Sequence, residues 1–218
     1  MSMSCLSSSF LSVSDRVHLH ALRFVRYLLH RGGHHVHSPY VFHLLTRVVE
    51  EKTPYYSFDR LASETEELRD SADYRGIRRR KVLELIFRLT IFCNAKRAIC
   101  ISPGDSVLSK YLFAARPEIE FSAENDDRLI TDSKQADPLL VVVERDAPLP
   151  AFIRQCLSGS LPDGSMVILY CPRRRGAVFR LWQELGKNPA ARVSIDMGEL
   201  LIVIFHRGLN KRSYKAFL

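Results

Sequence analysis

Nothing in these 218 residues is apolar for long enough to cross a bilayer. The most apolar runs, Leu139–Val143 and Leu200–Phe205, fall far short of the roughly 20 residues that a membrane helix needs. Met1–Ser14 carries neither a positively charged leader nor an unbroken apolar stretch, so it does not read as a signal peptide. Cysteine is sparse: Cys5, Cys93, Cys100, Cys156 and Cys171 are scattered and odd in number, which excludes a disulfide-stapled miniature fold. Most of them sit inside apolar segments, where a reduced thiol behaves as a small hydrophobe, and a reducing, cytoplasmic setting is expected. No internal repeat is visible, and only the serine-rich start is compositionally biased. Zinc-finger, helix-turn-helix and RNA-recognition signatures are all missing, and no aromatics are interleaved with the arginine runs as in a base-stacking groove.

What is there is a hydrophobic content of 46% and a net charge of +8. The first is enough for a full core and fits one domain plus an elaboration. The second permits anionic partners without naming one, because charge speaks to association and not to fold. Nucleic acid is therefore disfavoured as a partner, although Arg78-Arg79-Arg80-Lys81 and Arg173-Arg174-Arg175 suit phosphate oxygens. His30, His34, His35, His37 and His43 form a cluster without regular ligand spacing or a neighbouring cysteine, and no metal site is expected from it.

Along the chain, Ser14 and Asp15 can cap a helix from about Arg16 to His30, with Leu19, Leu22, Val25 and Leu29 as its apolar stripe. That helix is expected to pack on the domain or on a second copy of the chain, a homodimer. Ser38-Pro39 starts a second, short helix carrying Val41, Phe42, Leu45 and Val48. Further helices are expected over Phe58–Arg69 and Arg79–Cys93. From Arg97 onward short apolar runs alternate with amphipathic stretches, the pattern of βα units and a mostly parallel sheet. Strands are expected at Ala98–Ile101, Ile119–Phe121, Leu139–Val143, Met166–Tyr170, Arg192–Ile195 and Leu200–Phe205. Helices belong around Val107–Ala115, Pro150–Ser158 and Ala177–Gly186. The last two strands are joined by a few residues around Met197-Gly198, too few for a parallel crossover, so the last strand is expected to be antiparallel. The domain division is then 1–14 as a flexible start, 15–94 as a helical extension and 95–218 as the α/β domain.

Several segments resemble a family of class I S-adenosylmethionine (SAM) methyltransferases with an N-terminal helical leader. His34-His35-Val36-His37-Ser38-Pro39-Tyr40 is similar to the family's His-Gly-Val-His-Ser-Pro-Phe-like motif, with His35 in the glycine position. Pro162-Asp163-Gly164-Ser165 before a strand, the Trp182 helix, Ser194-Ile195-Asp196 and the final apolar strand with its basic, aromatic tail also resemble the family, in the same order. The resemblance implies a Rossmann-like methyltransferase sheet and SAM as cofactor. It places His37 and Ser38 at the pocket entrance. It implies a glycine-rich turn after the first strand, because side chains there block the approach of the cofactor to the backbone.

The family's first turn reads roughly Glu-x-Gly-x-x-x-Gly. Laid on this chain, it puts Cys100 at the acid and Ser102 and Ser106 at the glycines, with Gly104 and Asp105 in the same turn. Glu124, after the second strand, stands where the ribose acid belongs; a solvated loop acid beside Asp126 and Asp127 is the other reading. Only Asn125–Asp137 precede the next strand, so the sheet is expected to be shortened in the middle by one βα unit. Glu144 follows the third strand in place of the family's aspartate. The acidic pair of metal-assisted relatives is replaced by Tyr170-Cys171-Pro172 and arginines, and no catalytic metal is expected. The family's Asp-Phe-Gly-like segment has no counterpart between Asp70 and Arg80.

The expected cofactor-binding set is thus Ser102, Gly104, Asp105, Ser106, Glu124 and Glu144, with no catalytic residue assigned. The expected function is a SAM-dependent, methyltransferase-like protein, by resemblance a small-molecule O- or N-methyltransferase, with impaired or absent turnover. Two alternatives stay open: a non-catalytic interaction module on the same fold, and a basic surface for nucleic acid.

Overall fold

A computed structural model describes residues 38–102, 106–123, 137–144, 149, 157, 159 and 161–216. The expected helix at Arg16–His30, most of that at Pro150–Ser158, and the shortened stretch 124–136 lie outside the described residues.

Ser38 accepts a hydrogen bond from the Val41 amide and opens α1 (Pro39–Leu44), with proline in the first turn, where its missing N–H costs nothing. The helix runs on into a π-helical turn, Leu45–Val49, closed by the Glu50 amide donating to the Leu45 carbonyl. Helices α2 (Ser57–Asp70) and α3 (Arg80–Cys93) follow. Asn94 ends α3 in the left-handed region, at φ 52°, which asparagine tolerates better than most residues.

The alternation then begins: β1 (Arg97–Ile101), α4 (Leu108–Ala115), β2 (Glu120–Ala123), β3 (Leu139–Val143), β4 (Ser165–Tyr170), α5 (Ala177–Lys187), β5 (Val193–Asp196), β6 (Leu200–Phe205) and β7 (Arg212–Lys215). One seven-stranded sheet has the order β2-β1-β3-β4-β6-β5-β7. Strands β2, β1, β3 and β4 are parallel, and β6 runs antiparallel to both β4 and β5. The short connection between β5 and β6 turns at Gly198, whose φ of 92° is available to glycine at little cost. The chain is therefore an α/β protein with a mostly parallel, Rossmann-like sheet. The sheet has one strand more than the sequence reading expected: β7 adds to β5 in parallel. Its side chains are mostly exposed, so no apolar alternation marks it.

Strand residues divide strictly between two apolar layers. Ala98, Cys100, Leu140, Val142, Met166, Ile168 and Ile202 face the core that α1 to α4 complete. Ile99, Ile101, Val141, Val143, Val167, Leu169 and Val203 face the side covered by α5 through Val178, Leu181 and Leu185. Burial on both faces explains why these strands read as continuous apolar runs. Leader residues from Val41 to Cys93 thus share one core with the sheet.

Cys93, Cys100 and Cys171 are buried and outside any disulfide. Burial pushes the Cys93 thiol up to about 12, and the thiolate is the reactive form. Iodoacetamide at about pH 8 should leave Cys93 unmodified in the native protein and label it after denaturation. Mass spectrometry of the peptide that contains it checks this.

Candidate functional site

In open parallel sheets a ligand crevice forms beyond the carboxyl ends of the strands, where the connections leave in opposite directions. Here the chain passes from β1 outward to β2 on one side, and β3 flanks β1 on the other. The switch point is therefore between β1 and β3. Their register pairs Ile101 with Val143, so the next residues, Ser102 and Glu144, emerge side by side, and the Glu144 amide donates to the Ile101 carbonyl at 2.8 Å.

Glu144 is fully buried, where a carboxyl group is costly unless its oxygens are hydrogen-bonded. Donors from separate parts of the chain converge on it. Ser102 Oγ donates to Oε2 at 2.5 Å, Ser106 Oγ to Oε1 at 3.0 Å, and the Ile77 amide to Oε1 at 3.3 Å. Ser106 Oγ also accepts from the Leu108 amide at 3.1 Å, just before α4. Of the expected cofactor-binding set, the structure brings together Ser102, Ser106 and Glu144. Gly104, Asp105 and Glu124 lie outside the described residues.

The remaining wall comes from the loop between α2 and α3, Ser71–Arg79. Tyr74, Gly76 and Ile77 are buried in it. Tyr74 Oη accepts from the Val107 amide at 3.4 Å and donates to the Ile77 carbonyl at 3.5 Å. Burial, and after it the Glu144 carboxyl, pushes the Tyr74 phenol well above its ordinary value. A side chain at position 76 would run into this ring, because a Cβ there would lie 2.4 Å from the Tyr74 hydroxyl.

Arg78 donates to the carbonyls of Ser71, at 2.8 Å, Tyr74, at 2.7 Å, and Arg69, fastening the loop to itself. Arg79 forms an ion pair with Glu199, which is only 2% exposed and lies in the turn before β6. Arg80 pairs with Glu84 and Asp59 on α3 and α2. The arginine run that reads as a phosphate-binding surface is thus engaged within the protein at all three positions. Arg174 is likewise bound to Asp196 at 2.8 Å and lies over the Phe179 ring.

No family model, no curated protein and no solved structure matches this chain. Its chemistry has to be read from its own side chains. Among the described residues, no group of three or more His, Cys, Asp or Glu side chains could hold a metal ion. No described helix is long and apolar enough to cross a membrane. Ser38, expected at a pocket entrance, is the cap of α1, while His37 lies outside the described residues.

Sequence reasoning missed Tyr74, Ile77 and Glu199, and took Arg78 and Arg79 for part of a phosphate-binding run. The one signal for the loop is its composition: an aromatic and a glycine, Tyr74-Arg75-Gly76, between two helices, followed by a run of arginines. An ion pair such as Arg79–Glu199, whose partners are far apart in sequence, leaves no local trace.

Proposed function

We propose that the chain is a SAM-methyltransferase-like protein whose cofactor crevice is closed by its own polar side chains, so that methyl transfer is lost or severely impaired and the fold serves as a binding or interaction module. The observation that carries this reading is the bonding of Glu144. At the switch point the acid that stands in place of the family's aspartate is engaged by the Ser102 and Ser106 hydroxyls and by the Ile77 amide. By the family resemblance, these serines occupy the positions where glycines would let the cofactor approach the backbone. Methyl transfer depends mainly on holding the sulfonium in line with its acceptor, so a crevice that does not admit the cofactor forfeits most of the rate enhancement.

Isothermal titration calorimetry with SAM and with S-adenosylhomocysteine tests the reading directly. No heat of binding up to about millimolar ligand is expected, an affinity weaker than about −4 kcal/mol. Micromolar binding to the wild-type protein would overturn the closed-site reading and restore a small-molecule methyltransferase as the function to pursue.

A further inference from the structure

We propose that Ser71–Arg79 is an intramolecular strap, displaceable as a unit, that occupies the switch-point crevice and competes with ligand there. This rests on the closed-crevice reading for the ligand's identity and on the loop's own geometry for the rest. Two regular helices, α2 and α3, bound the loop, and the loop itself contains no regular element. Regular hydrogen bonding therefore does not tie it to the sheet.

The loop is bonded to itself, and through Arg78 and Arg69 to the end of α2. Arg78 fastens the carbonyls of Arg69, Ser71 and Tyr74 together, Arg69 returns a bond to the Arg78 carbonyl at 3.3 Å, and Tyr74 Oη reaches the Ile77 carbonyl. Towards the crevice, the named polar links are Ile77 to Glu144, Tyr74 to Val107 and Arg79 to Glu199. A segment stapled to itself and attached at a few points opens as one body. All three links end at the crevice or beside it: Glu144 follows β3, Val107 precedes α4 and Glu199 precedes β6. Ser71, Ala72, Asp73 and Arg75 are exposed, so the outer surface of the strap already faces water, and within the strap only Tyr74, Gly76 and Ile77 are buried.

Native-state hydrogen exchange of the full chain tests the strap without any ligand. The Ile77 and Val107 amides should exchange together by local opening, well ahead of Val141 and Ile168 in the sheet interior. Arg78→Ala should accelerate both by about tenfold or more, since it removes the Arg78 bond that anchors the loop to the Arg69 carbonyl at the end of α2. Tyr74→Phe, a milder change, should accelerate Val107 by removing its acceptor, and it keeps the test open if the arginine variant folds poorly.

S-adenosylhomocysteine is then titrated into the wild type and the Arg78→Ala variant. A strap that competes with ligand predicts tighter binding in the variant by the same factor as the gain in opening. Exchange of Ile77 only through global unfolding would overturn the strap, leaving the closed-crevice reading standing. Local opening with no gain in S-adenosylhomocysteine affinity would overturn the competition. Micromolar binding by a wild type whose Ile77 stays protected would instead count against the closed-crevice reading.

Discussion

Glu144→Ala should destabilise the protein by about 3 kcal/mol, because it leaves the buried Ile77 amide and two half-buried serine hydroxyls without their acceptor at once. The carboxyl accepts from Ser102, Ser106 and the Ile77 amide, and none of these is placed by chance. Ser102 follows β1, Ser106 precedes α4, and Ile77 belongs to the loop between α2 and α3. One side chain therefore ties three separate parts of the chain to the end of β3. A buried donor without a partner costs about 1–3 kcal/mol, which applies in full to the Ile77 amide, and the two half-buried serine hydroxyls add less each. For a chain of this size the loss corresponds to a fall in Tm of roughly 6–12 °C.

Glu144→Gln separates shape from bonding. Its amide keeps one acceptor oxygen and can donate to a serine, so about half of the loss should be recovered. Urea denaturation followed by circular dichroism measures both variants. A Glu144→Ala protein within about 0.5 kcal/mol of the wild type would show that Glu144 is not the junction described here, since changes of that size are typical of unremarkable surface sites.

The strands and most helices were legible because burial leaves a strong trace in the sequence. Leu139–Val143 and Leu200–Phe205 are apolar at every position, and both are buried on both faces of the sheet. The antiparallel direction of β6 followed from the brevity of the connection through Gly198. Strand β7 was not legible: it is a short edge strand with charged, exposed side chains, and an edge needs no apolar face.

The candidate site was legible in part and for a different reason. Ser102, Ser106 and Glu144 were singled out by laying the family's pattern on the chain, at the ends of strands where open parallel sheets place their ligands. What the sequence did not disclose is that these residues bond to one another. That requires knowing that β1 and β3 are neighbours and that Ile101 lies level with Val143. Ile77 contributes a backbone amide, which carries no residue-type signal at all. Arg79 could be read only as part of a basic run, because its partner Glu199 lies far along the chain.

That ion pair carries the second large effect. Arg79→Ala removes the guanidinium from a carboxylate that is almost wholly buried, and losing one partner of a buried pair costs about 3–5 kcal/mol. Arg79 itself is 33% exposed, so water screens part of the interaction and the expected loss is reduced to about 2 kcal/mol. The double variant Arg79→Met/Glu199→Leu should recover most of it, since replacing both members of a buried pair by apolar groups is often neutral. A double-mutant cycle in urea therefore predicts a coupling of about 1–2 kcal/mol between the two positions. Additive effects would mean that the pair does not bind the loop to the turn before β6, and Arg79 would then drop out of the outward links that hold the strap in place.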